Sequence, residues 1–178
     1  YEQRSKTQPG KAMVVAMSRD ICARLYDAIV ALRPDWHDPD ISKGAIKVVM
    51  TASASDEQHL QPHHTSKQQK KDLEKRFKDP ADPLKIVIVR DMWLTGFDAP
   101  CMATMYVDKP MKGANLAQAI ARVNRVFKDK PGGLIVDYIG IAPQLKEALA
   151  TYTAAKGKGK PTLDTSEAVR ILKEQLQI

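Results

Sequence analysis

Residues Lys85–Arg125 read KIVIVRDMWLTGFDAPCMATMYVDKPMKGANLAQAIARVNR, and this stretch decides the fold. Four β-branched residues, Ile86–Val89, sit between charges. That is the pattern of a short strand buried on both faces of a parallel sheet. Arg90 and Asp91 end it. Thr95-Gly96-Phe97-Asp98-Ala99-Pro100 then reads as a turn, because Gly and Pro punctuate and an Asp side chain bonds nearby backbone amides. The apolar run Met102–Val107 follows as the next strand. From Leu116 to Phe127 the residues Leu116, Ala119, Ile120, Val123 and Phe127 recur at roughly 100° per residue, one side of a helix. Gln118, Arg122 and Arg125 fall on the other side. Their spacing stacks one amide and two guanidinium groups along a single stripe suited to an anion.

IVRDMWLTGFD followed by QAIARVNR resembles motifs V and VI of superfamily 2 helicases and translocases, found in the second of their two RecA-like lobes. The phrases TGFDAP, MYVDKPMKG, NLAQAIARVNR and GGLIVDYIGIA together are similar to one family within it, the restriction (R, HsdR) subunit of type I restriction-modification enzymes. The similarity runs from Lys11 to Tyr152. One departure is Ala114 in KGANL, where the family pattern carries a His. The arginine spacing is common to related superfamily 2 machines, so the restriction assignment rests on TGFDAP and MYVDKP.

The whole chain bounds the answer in the same direction. Its 178 residues suit one α/β domain, and a net charge of +7 favours a polyanionic partner such as nucleic acid. The two cysteines, Cys22 and Cys101, lie in apolar segments without metal or paired spacing, which points to core thiols in a reduced, cytoplasmic setting. No apolar run approaches the roughly 20 residues of a membrane span.

Around the deciding stretch, a polar Tyr1–Gly10 reads as a linker from an upstream region. Met13–Met17 is the first predicted strand and is followed by a helix with Ile21, Leu25, Ala28, Ile29 and Leu32 on one stripe, ending before Pro34. Ser18 and Arg19 sit at that strand's carboxyl end, where open α/β sheets bind ligands. Ser18 either contacts a phosphate or caps the helix. Ile46–Met50 is the second strand and ends at Thr51. His59, His63 and His64 follow in a loop, but Pro62 breaks the helical register that would let them share a metal, and none is expected. Ser66–Lys78 is a lysine-rich outer helix. Gly132–Tyr138 looks like a Walker B run, yet no G-x-x-x-x-G-K-[ST] occurs in the chain, so Asp137 reads as a structural residue at a strand end. Ala142–Tyr152 is a closing helix, residues 153–163 a basic flexible linker, and residues 164–178 the start of a helical region.

The resemblance implies a RecA-like three-layer sandwich with a central, mainly parallel sheet over residues 11–152: half of an ATP-driven DNA motor. It implies that Arg122 and Arg125 act as arginine fingers on the γ-phosphate, with Gln118, Gly96 and Asp98 binding ATP. Asp98 would accept from a ribose hydroxyl; its alternative is a turn cap. Ser18, Arg19, Thr51, Arg90 and Thr95 would face the DNA backbone. ATP and Mg2+ would be held jointly with the first RecA-like lobe, which supplies the phosphate loop. The other implied partners are double-stranded DNA, the nuclease domain of the same subunit, and the modification and specificity subunits. A fragment of this kind is expected to be inactive by itself. A non-catalytic nucleic-acid-binding or scaffolding lobe, and lobe 2 of another superfamily 2 helicase, are the competing expectations.

Overall fold

The computed structural model describes residues 1–150 except 112, 129, 131, 142, 145, 148 and 149. In chain order the elements are α1 (Glu2–Thr7), β1 (Lys11–Ala16), α2 (Arg19–Leu32), β2 (Ile46–Val49), α3 (Lys67–Lys78), β3 (Ile86–Val89), β4 (Met102–Asp108), α4 (Gly113–Val123) and β5 (Leu134–Asp137). Short 3-10 segments lie at Pro34–Trp36 and Gln58–His63.

Every strand pairing is parallel, in the order β2-β3-β1-β4-β5. Alternation along the strands splits the interior in two, since successive side chains point to opposite faces. Met13, Val15, Val87, Val89, Met105 and Val107 meet Leu73 and Phe77 of α3 and Leu116, Ile120 and Val123 of α4 on one face. Ala12, Val14, Ile46, Val48, Ile86 and Ile88 meet Cys22, Ala23 and Tyr26 of α2 on the other. This is the three-layer parallel arrangement expected from the sequence, with β3 falling on the predicted residues.

Several boundaries differ from the sequence reading, each for a local reason. β1 starts at Lys11 because its ammonium reaches the Arg76 carbonyl at 2.6 Å, which lets a lysine lie buried at the strand's foot. Residues 1–10, read as a linker, contain α1 and dock on the lobe: Tyr1 donates to the Gly10 carbonyl at 3.0 Å, its ring meets Trp36 edge-on, and Arg33 grips Glu2 with two nitrogens. Helix α4 ends at Val123, short of the expected Phe127. At this end Lys130 Nζ donates to the Val123 carbonyl at 2.9 Å, and the side-chain Oδ1 of Asn124 accepts the Gly133 amide. Gly133 lies so close that a Cβ there would fall 2.0 Å from Val123 Cγ1, so the crossing of these segments requires glycine. Arg125 therefore sits just beyond the helix rather than in its stripe.

Asp137 accepts the Ile139 amide at 3.0 Å, closing β5 as a strand-end turn. Most of the helix predicted over 142–152 and all of residues 153–178 lie outside the described residues. No helix among the described residues is long and apolar enough to cross a membrane.

Candidate functional site

Two groups of predicted site residues emerge, joined by the loop after β3. The first lies along the carboxyl ends of β1, β2 and β3. Ser18 caps α2, its Oγ accepting the Ile21 amide at 3.1 Å. The alternative of a phosphate contact thus competes with a hydrogen bond already made. Arg19 Nη1 donates to the Thr51 carbonyl at 2.9 Å and to Asp56 Oδ2 at 2.6 Å, so Arg19 and Thr51 do come together. Arg90 extends from the end of β3, donating to the Met17 carbonyl at 3.4 Å and pairing with Asp91 at 3.1 Å. Lys109, just past β4, bonds the Arg90 carbonyl and the Asp91 carboxylate. Arg19, Thr51, Arg90 and Asp91 line one small cleft between the strand ends.

From the sequence, Asp56 and Lys109 have no assigned role, Asp91 is named only as a strand end, and His64 is weighed only as a metal ligand. Asp56 is almost fully enclosed and accepts from Arg19, from His64 Nε2 at 3.0 Å and from the Ser53 amide at 2.9 Å. The Arg19 hydrogen bond, ahead of the Ser53 and His64 bonds, holds its carboxyl below the usual range. His59 and His64 are hydrogen-bond partners, of Asp20 and Asp56, and His63 packs edge-on against Tyr26. Burial pushes the Cys22 thiol up to about 11, in keeping with a core role.

The second group surrounds the loop from Arg90 to Asp98. Trp93 adopts a left-handed backbone, φ +66°, a conformation rare for a bulky residue. Its ring stacks on Phe97 at 4.5 Å with planes 2° apart, and Phe77 of α3 flanks both rings at 6.0 Å. Gly96 is also left-handed, and a Cβ there would meet nothing within 4 Å, so this turn faces open space. Thr95 and Gly96 are exposed, as is Gln118 on α4.

The two arginines of the predicted pair have different surroundings. Arg122 is half-buried, and its Nη1 donates to the carbonyls of Trp93 at 3.0 Å and Leu94 at 2.5 Å. Burial lowers its pKa, with the Asp98 carboxylate opposing and Arg125 adding to the shift. Arg125 has a side chain 56% exposed and pairs with Asp98 Oδ2 at 3.2 Å. Asp98 Oδ1 is buried without a hydrogen-bond partner among the described residues. An arginine fork, an acceptor lacking a donor and a glycine turn open to solvent thus share one side of the lobe. These are groups that suit phosphate and hydroxyl oxygens.

A parallel sheet of this order with helices on both faces is a RecA-like fold. The C-terminal domain of the DEAD-box protein Dbp5 superposes with a TM-score of 0.52 at 16% identity, over 93% of this chain and 82% of that one. A fragment of an HsdR subunit from Vibrio vulnificus superposes at 0.50 and 17% identity, over 80% of this chain and 26% of that one. In sequence, the family model described as type I restriction enzyme subunit R domain 3 matches residues 37–140, more than half of the chain. The chain belongs to the family of type I restriction enzyme R subunits. It is 58% identical to the HindI endonuclease subunit of Haemophilus influenzae over 99% of its own length and spans 17% of that relative.

Proposed function

We propose that this chain is the second motor lobe of an ATP-driven DNA translocase within a type I restriction R subunit. The observation that carries this reading is Arg125, exposed beside Asp98 and the open Gly96 turn. Magnesium-bound ATP, held jointly with a first RecA-like lobe, supplies the transferable phosphoryl group. Arg125 contributes a guanidinium for the charge that develops on the phosphoryl oxygens. Asp98 gives its unpartnered Oδ1 to a ribose hydroxyl, Gly96 allows the backbone to approach, and exposed Gln118 holds the phosphate chain. Asp98 Oδ1 and the space over Gly96 both fit such a ligand.

On the rim, Arg19, Thr51 and Arg90 meet phosphates of double-stranded DNA, Thr95 adds a contact from the exposed turn, and Ser18 orders the start of α2. Contacts to phosphate carry no base information, which suits a machine that must run along any sequence. The remaining partners are the nuclease domain of the subunit and the modification and specificity subunits.

The test is DNA-stimulated ATP hydrolysis by the full-length subunit, wild type against Arg125→Ala, with nucleotide binding followed in parallel. Turnover is expected to fall by about 10³ while ATP still binds, the signature of an interaction made in the transition state. Normal turnover in the variant would reduce the lobe to a DNA-binding or scaffolding part.

A further inference from the structure

Arg122 and Arg125 are equivalent in spacing but not in what they touch. Arg122 spends Nη1 on two successive carbonyls, those of Trp93 and Leu94, while Arg125 meets a carboxylate and stays exposed. The loop that Arg122 holds contains the left-handed Trp93. Such a backbone costs on the order of 1–3 kcal/mol and persists only where its surroundings over-determine it. The ring stack with Phe97 and Phe77 fixes one side of Trp93, and the guanidinium fixes its carbonyl. A loop fixed at this point also joins two functional ends, since it starts at Arg90 on the strand rim and ends at Asp98 beside Arg125.

Building on the motor reading above, we infer that Arg122 is a positioning residue that ties α4 to the Trp93–Asp98 loop, leaving Arg125 as the one arginine of the pair directed at nucleotide. The tie registers the DNA-facing start of the loop against its nucleotide-facing end. It uses hydrogen-bond donors aimed at neutral carbonyls, a task an ammonium can also perform. Gripping a phosphoryl group with a planar fork is a task it cannot.

The test combines peptide-level amide hydrogen exchange over residues 91–98 with DNA-stimulated ATP hydrolysis, both on the full-length subunit. Arg122→Ala is expected to speed exchange in that peptide by about tenfold or more, from the loss of two half-buried hydrogen bonds, and to lower turnover with it. Arg122→Lys is expected to recover protection and bring turnover back to within about threefold of wild type. Arg125→Lys should leave exchange unchanged and recover no turnover. Unchanged exchange in Arg122→Ala overturns the inference, and so does lost turnover in Arg122→Lys with residues 91–98 still protected. Failure of the motor reading would look different: Arg125→Ala would turn over normally while Arg122→Ala still loosened the loop.

Discussion

The rim at the strand ends and the side of the lobe around α4 both carry arginines; Arg125, like the rim cations, meets a carboxylate, while Arg122 is held in a different way. On the rim each cation meets a carboxylate: Arg19 meets Asp56, and Arg90 and Lys109 share Asp91. Beside α4, Arg122 is held by neutral backbone carbonyls, and the loop it grips packs its Trp93 and Phe97 rings beside Phe77. The difference matches two demands. A surface that must release DNA repeatedly is served by cations whose attraction is moderated by nearby acids and screened by solvent. A surface that must present a guanidinium to a transition state is served by fixed geometry.

The largest effect should come from removing the aromatic support on the α4 side. Phe77 is fully buried and flanks both Trp93 and Phe97. Truncating a buried Phe loses its transfer free energy and leaves a cavity, so Phe77→Ala should cost about 3–5 kcal/mol in denaturant unfolding. No comparable single truncation exists on the rim, where the functional residues are half-buried or exposed. A cost below about 1 kcal/mol would show that the stack does not support the loop.

A smaller effect separates the regions by salt. Each rim arginine that meets a DNA phosphate releases about one counterion. Arg19→Ala and Arg90→Ala in the full-length subunit should each reduce the slope of log affinity against log salt by about 1, uniformly across DNA sequences. Arg125→Ala should leave that slope where it was. If all three behaved alike, the division between a DNA rim and a nucleotide side would fail.

The sequence made the sheet legible because its strands are short apolar runs, and β3 in particular is a β-branched run bounded by Lys85 and Arg90. It made α4 legible through period, but not its end. That end depends on Lys130 and Gly133, which approach from the next segment and leave no mark in a helical pattern. The arginine pair was legible as spacing alone. That Arg122 turns to the Trp93 and Leu94 carbonyls follows from tertiary packing, twenty-nine and twenty-eight residues away. Asp56 was invisible for the same reason, lying 37 residues from Arg19 in a loop with no periodic signal. Lys109 could have been found, because it follows β4 at the same edge of the sheet as Arg90.

The smallest expected effect tests whether the acid on the rim is part of its design. The Arg19 hydrogen bond holds the Asp56 carboxyl below its ordinary value of 3.8. A depressed folded pKa means that the folded state binds the proton less readily than the unfolded chain. The pair's contribution to stability is therefore complete above the ordinary value and disappears as pH falls through the folded one. Asp56→Asn cannot titrate, so the gap in unfolding free energy between it and the wild type should be present at about pH 7 and close on acidification below about pH 4. A gap that stayed constant down to acid pH would mean that Asp56 acts through its hydrogen-bonding shape alone. The rim arginine would then be ordered without being moderated in charge, and the contrast with Arg122 would rest on exposure rather than on which groups hold each cation.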